Sequence, residues 1–253
     1  MSLQHKKVFI TGGSSGIGLG LVEGFLKSGA SVAFSYRSDD ALSRAEVKEV
    51  LSRYPTAVAI KANFSEETVA NALLQQATEA LGSEVDVLIN NAAAYSRAEF
   101  LQTEEADFRH ILDVNAVIPF MLIKAFSTAL IRKSMPGSII NISSLSSVMA
   151  RSKMTAYQCS KAAMDMLSNS AAYELAKYKI RSNIIAPGLT ETSANQSQRD
   201  KQPKLWEQRS ALIPLGRAGK PKDFVSAALF LADDGASWIT GARIVVDGGL
   251  STF

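Results

Sequence analysis

KVFITGGSSGIGLGLVEGFLKSG (residues 7–29) runs from a β-rich apolar segment through a glycine-rich turn into a helical pattern. Its glycines at 12, 16 and 18 are spaced G-x-x-x-G-x-G, with Ser14, Ser15 and Ile17 between them. A turn free of side chains lets backbone N–H groups and the next helix's N-terminus approach a pyrophosphate. Tight strand-to-helix turns also use glycine, so the loop alone is a weak signal. Its place after the first strand makes it a candidate nucleotide site.

Outward from that stretch, short apolar runs alternate with longer helical patterns to the end of the chain. The strand candidates are residues 7–11, 31–36, 57–62, 85–90, 138–143, 181–186 and 243–248. One helical pattern opens on an acidic first turn, Ser65-Glu66-Glu67-Thr68. Near-continuous apolar strands, each followed by a helix, predict an α/β fold: one doubly wound domain with a seven-stranded parallel sheet and helices on both faces. No linker or repeat divides residues 1–253. The polar stretch 189–215 breaks the rhythm and is expected to be an irregular loop that acts as a substrate lid, with Leu205, Trp206, Leu212 and Ile213 as its apolar groups.

Composition narrows the function. The chain is 47% hydrophobic and 20% charged with a net charge of +3, and it carries no basic stripe for nucleic acid. Apolar runs such as VDVLINNAAA are too short to span a bilayer, and the N-terminus has no signal-peptide pattern. One cysteine and two histidines leave too few groups for a disulfide, a metal site or a Ser-His-Asp triad. The expectation is a cytoplasmic protein with no metal, no nucleic-acid partner and no membrane.

The end of the second predicted strand bears on the choice of dinucleotide. A site for NAD carries an acid there for the ribose hydroxyls. Here Tyr36, Arg37 and Ser38 fill the region, with no acid before Asp39. Arg37 can pair with a 2′-phosphate, which favours NADP(H) over NAD. The other reading has Arg37 solvated and Asp39 reaching back to the ribose.

AYQCSK (156–161) spaces Tyr157 and Lys161 one helical turn apart, and YELAK repeats the spacing at Tyr173 and Lys177. At about 100° per residue the two pairs point to nearly opposite sides of one helix. Small residues flank the first pair and charged ones the second, so Tyr157 and Lys161 are the candidates for chemistry. Strand alternation puts Ser143 and Ser144 on opposite faces, so only one of them can point at such a site.

TGGSSGIG (11–18), NNAA (90–93), Asn115 in DVNAV, INISS (140–144), YQCSK (157–161), IAPGLTET (185–192) and GARIVVDGG (241–249) follow one another in an order and spacing that resemble the short-chain dehydrogenase/reductase family over essentially the whole chain. The resemblance implies a Rossmann fold and an NAD(P)-dependent oxidoreductase acting on carbonyls or secondary alcohols. It makes Tyr157 the general acid/base, supported by Lys161 and Asn115, with Asn115 in a proton relay through water. The family spacing selects Ser144 as the serine. Asn90 and Ala92 line the adenosine ribose and stabilise the sheet. Asn63, with Phe64 beside it, stands where the family has an aspartate facing adenine. Pro187 and Gly188 turn beneath the nicotinamide, and Thr190 and Thr192 lead into the lid.

The resemblance points first to an NADPH-dependent reductase of the 3-oxoacyl-[acyl-carrier-protein] type, for which Arg97, Arg132, Lys133 and Arg151 are candidate contacts to an acidic carrier. A sugar or polyol dehydrogenase is the alternative, and Gln196, Gln198, Arg199 and Gln202 in the lid would suit a hydroxylated substrate. A non-catalytic nucleotide-binding regulator is a third reading, disfavoured by the presence of all four catalytic positions. The Tyr-x-x-x-Lys spacing argues against the divergent enoyl reductases. The family also implies a homotetramer.

Overall fold

A computed structural model describes residues 3–38, 40–64 and 69–252. Asp39 and the acidic turn 65–68, both read from the sequence above, lie outside these residues. Seven strands pair in parallel: β1 (Lys7–Ile10), β2 (Ser31–Tyr36), β3 (Ala57–Lys61), β4 (Val87–Asn90), β5 (Gly137–Ile142), β6 (Ile180–Pro187) and β7 (Arg243–Val246). Their order is β3-β2-β1-β4-β5-β6-β7. The helices are α1 (Gly16–Lys27), α2 (Asp40–Ser43), α3 (Ala45–Arg53), α4 (Val69–Leu81), α5 (Glu105–Leu112), α6 (Ile118–Arg132), α7 (Thr155–Leu175), α8 (Gln196–Lys201), α9 (Pro203–Ala211) and α10 (Val225–Ala232).

Alternation along each strand explains why the runs read as continuously apolar. Val8 and Ile10 pack on one face with Leu21, Val22 and Phe25 of α1, while Phe9 packs on the other with Leu73 of α4 and Leu122 and Phe126 of α6. Each such side chain contributes about 1.5–3 kcal/mol when fully buried. Winding reverses between β1 and β4, where the chain leaves the sheet in opposite directions. Ligands of open α/β sheets bind at the carboxyl ends of the strands at such a switch point. The glycine loop follows β1 there.

Two features differ from the sequence reading. Residues 189–215 are not an irregular loop: a 3₁₀ turn (Ser193–Asn195), α8 and α9 fold most of it. Pro203 starts α9, where its missing N–H costs nothing. The second is a helical run from Glu105 to Arg132, long and apolar enough by length and composition to cross a bilayer. Half of its most apolar window is buried in the fold, where α6 packs against the sheet and α4. A π turn (Asp113–Val117) interrupts it and holds Asn115.

Candidate active site

The glycine loop is stitched to the strands beside it. Gly12 N–H donates to Ser35 Oγ at 3.0 Å. Thr11 Oγ1 accepts from the N–H groups of Asn91 (2.9 Å) and Ala92 (3.0 Å), and Asn91 Nδ2 donates to the carbonyls of Thr11 (2.8 Å) and Gly12 (3.2 Å). Thr11, Ser35 and Asn91 escaped the sequence reading; the second asparagine of NNAA was the one available signal. A Cβ on Gly18 would lie 2.2 Å from the Gly12 carbonyl oxygen, so the loop closes on α1 only because that residue is glycine.

The loop fits a phosphate group. Ser15 is the N-cap of α1, yet its hydroxyl makes no capping hydrogen bond, and the helix has no acid in its first turn. Its positive end is thus not neutralised from within. Ser14 is buried and Ile17 packs on the core, so neither projects freely. At the end of β2, Tyr36 is half-buried and Arg37 is exposed, with no ion pair among the described residues. Ser38 is exposed ahead of α2, its carbonyl accepting from Ala41 N–H at 2.9 Å. Asn63 is exposed beyond β3, and Phe64 packs against the α4 side of the core.

The catalytic candidates converge from three elements. Tyr157 is in the first turn of α7 and half-buried, and Lys161, one turn on, is 1% exposed. Lys161 Nζ donates to the Ile142 carbonyl of β5 at 2.8 Å and lies 5.8 Å from the centre of the Tyr157 ring. The lysine is therefore anchored on the strand and makes no direct bond to the phenol. Ser144 follows β5, and its Oγ accepts from Ser146 N–H at 3.1 Å, which leaves its own proton free to donate. Ser143 is buried on the other face, its hydroxyl unpartnered among the described residues.

Burial sets the electrostatics. It raises the Tyr157 phenol above its ordinary value, with the Ser144 hydroxyl acting in the opposite direction, so the tyrosine holds its proton. Burial also lowers the Lys161 ammonium from 10.5 to about 8, opposed by Asp165. An acid still carrying its proton next to a lysine still largely charged at neutral pH can protonate a developing alkoxide.

Asn115 is wholly buried and fully engaged. Its Oδ1 accepts from Ala94 N–H (2.8 Å), and its Nδ2 donates to the Ala94 carbonyl (2.8 Å) and to Ser160 Oγ (2.9 Å). Its side chain ties the segment after β4 to α7, beside the Tyr157 turn. Asn90 is also buried, its Nδ2 donating to Asn141 Oδ1 at 2.8 Å, in a network that continues to Ser168 and Ser182. Its amide thus serves the sheet, while Ala92 stays at the glycine loop.

Beyond β6, Gly188 N–H donates to the Val246 carbonyl (3.1 Å) after Pro187 ends the strand. Thr190 is buried, its hydroxyl on the Gly188 carbonyl at 3.0 Å. A Cβ on Gly16 would sit 3.4 Å from the Thr192 side chain, so the start of the 189–215 segment rests on the glycine loop. Asn195 braces it, accepting from Thr192 N–H (3.1 Å) and donating to the Thr190 carbonyl (2.7 Å). Arg199 reaches Asn195 Oδ1 (3.2 Å) and the Thr192 carbonyl (3.3 Å) and lies 5.8 Å from the Trp206 ring. Tyr95 joins the segment after β4 to the 3₁₀ turn Ser193–Asn195, its hydroxyl donating to the Ala194 carbonyl at 2.9 Å. Of the apolar groups in 189–215, Leu205 and Trp206 are half-buried, Ile213 is buried and Leu212 exposed.

The second tyrosine pair lies apart. Tyr173 is 88% exposed, and α7 ends at Leu175, so Lys177 falls outside the helix and stacks on Tyr178 instead.

A family model described as enoyl-(acyl carrier protein) reductase matches residues 12–251. The chain is 33% identical over 248 residues to an L-rhamnose 1-dehydrogenase (NAD(P)(+)) of Sphingomonas sp., covering 98% of this chain and 97% of that protein. It is 32% identical over 251 residues to 3beta-hydroxysteroid dehydrogenase 1 of Eggerthella lenta, covering 99% and 95%. Among solved structures, a gluconate 5-dehydrogenase from Burkholderia cenocepacia in complex with NADP and tartrate superposes with a TM-score of 0.90 at 28% identity, covering 100% of this chain and 97% of that one.

Proposed function

The chain belongs to the short-chain dehydrogenase/reductase family, and on that premise we propose that it oxidises a secondary alcohol or reduces a ketone of a sugar, sugar acid or polyol with NADP(H). The observation that carries this reading is the convergence of Tyr157, Lys161 and Ser144 at the carboxyl edge of the sheet beside the glycine loop. Bound NADP(H) supplies or accepts the hydride. In the reductive direction Ser144 Oγ–H donates to the substrate oxygen, and the Tyr157 hydroxyl delivers the proton. Lys161 and the positive end of α7 stabilise the phenolate left behind. Arg37 receives the 2′-phosphate, and α8 and α9 act as the lid.

A carrier-linked 3-oxoacyl substrate has less support. Arg132 ends α6 and Lys133 follows it, on the amino-end side of β5 and away from the site, and Lys133 is paired with Glu84 at 2.6 Å. The polar lid and the substrates named for the relatives favour a hydroxylated molecule. Exposed Val117 and Phe120 on one helical run, with Met166 and Tyr173 on α7, support burial against further copies in a homotetramer. Monomers in light scattering would defeat that part.

Fluorescence titration with NADPH and NADH, then turnover of L-rhamnose, D-gluconate and galactitol with NADP⁺, tests the proposal. NADPH is expected to bind at least tenfold tighter, and Arg37→Ala to remove that margin, worth about 1.4 kcal/mol per factor of ten. Tighter NADH binding, or no turnover of any of the three with either cofactor, overturns it.

A further inference from the structure

Arg243 stands on the edge strand β7, but its guanidinium turns inward. Its Nε donates to Asp165 Oδ2 at 3.3 Å, and one Nη donates to both the Ser144 carbonyl and Ser147 Oγ at 3.2 Å. Asp165 is one turn past Lys161 on α7 and its side chain is 14% exposed. Its other oxygen, Oδ1, is buried and has no hydrogen-bond partner among the described residues. One planar, always-charged group thus joins the last strand, the helix bearing Tyr157 and Lys161, and the turn that presents Ser144.

We propose that Arg243 and Asp165 are a positioning pair, Arg243 fixing the Ser144 turn and Asp165 standing one helical turn from Lys161 as its counter-charge. The proposal rests on the reading of Tyr157, Lys161 and Ser144 given above. A guanidinium with two fixed donor directions holds a carbonyl and a carboxylate in one geometry, which a lysine cannot copy. Asp165 lies one turn from Lys161 on α7, where its negative charge opposes the loss of charge that burial imposes on the ammonium. The other charges on elements around α7 are turned elsewhere. Arg181 of β6 donates to the carbonyls of Leu231, Asp233 and Ile239, Arg109 pairs with Glu105 at the surface, and Asp113 and His110 are exposed. Tyr157 faces the ammonium from its own helix.

The two partners have opposite effects on Lys161, and that separates this role from a plain structural clamp. Asp165→Asn removes the anion. Arg243→Gln releases the same anion from its counter-charge. In full-length protein labelled with ¹³C at the lysine ε-carbon, with the Lys161 resonance assigned by its loss in Lys161→Met, the ammonium is titrated directly. Its midpoint is expected to fall by about half a pH unit or more in Asp165→Asn, to rise in Arg243→Gln, and to return near wild type in the double variant. Arg243→Lys keeps the charge but loses the fork. It is expected to leave the midpoint in place and lower kcat about tenfold, with NADPH affinity unchanged. Shifts of the same sign, no shift, or full kcat in Arg243→Lys overturn the proposal. If Arg243→Gln does not fold, Asp165→Asn and Arg243→Lys carry both arms. Wild-type protein without NADP(H) turnover would defeat the functional reading instead, and the Lys161 titration would still judge the pair.

Discussion

Lys161 shows how function and stability compete at a single side chain. Its folded value of about 8 lies below the ordinary 10.5, so at neutral pH the fold carries a buried charge. The unfolded chain binds more protons between these two values. Stability therefore rises with pH across that window, and the cost below it is on the order of 3 kcal/mol. In the proposed chemistry activity runs the other way: reduction would use a charged lysine and a protonated tyrosine, so kcat/KM is expected to fall as pH climbs through about 8. Tyr157→Phe should lower kcat by roughly 10²–10⁴-fold and spare NADPH binding. Tyr173→Phe, 88% exposed, should leave both near normal in the same assay. The placement of Tyr157 and Lys161 one turn apart on a single helix was legible from their spacing. Asp165 and Arg243 were not, since they are far apart in sequence and meet only through the packing of α7 near β7.

The strands were legible as elements because burial on both faces leaves no polar alternation to confuse the pattern. Residues 31–36 match β2 from end to end, and no other strand boundary moved by more than two residues. α8 and α9 were not legible. They span six and nine residues, lack a buried side chain, and are held by Asn195, Arg199 and Pro203 rather than by an apolar stripe. At this scale the loop between β1 and α1 makes the sharpest prediction. Gly18→Ala forces a methyl to within 2.2 Å of the Gly12 oxygen. The helix must retreat, at a cost of about 1–3 kcal/mol in urea unfolding, and NADPH affinity should drop at least tenfold. Unchanged affinity would mean that the loop does not hold the phosphates.

Across the whole molecule, the amino ends of the strands bear stability and the carboxyl ends bear the site. Asp86, just before β4, illustrates the first: its carboxylate accepts from Lys7 N–H at 2.9 Å and ties β1 to β4. Burial raises its pKa from 3.8 to about 6. The folded state binds the extra proton in that window, so this group's contribution is complete below 3.8 and is lost as pH rises through about 6. Asp86→Asn keeps an acceptor for Lys7 and should gain about 1 kcal/mol at neutral pH, after allowance for solvent screening of a half-buried group. Urea unfolding from pH 4 to 7 should also show a flatter profile, and a less stable variant at pH 7 would count against this account. At the opposite edge, the π turn in the long run 105–132 adds one residue to a helical circuit. Helical phase on its two sides is therefore offset, and that offset turns Asn115 inward. Removing one residue from 113–117 would make the helix more regular and the protein shorter, with the amide rotated away from Ala94 and Ser160. Here a more regular helix would forfeit the three hydrogen bonds that join the segment after β4 to α7.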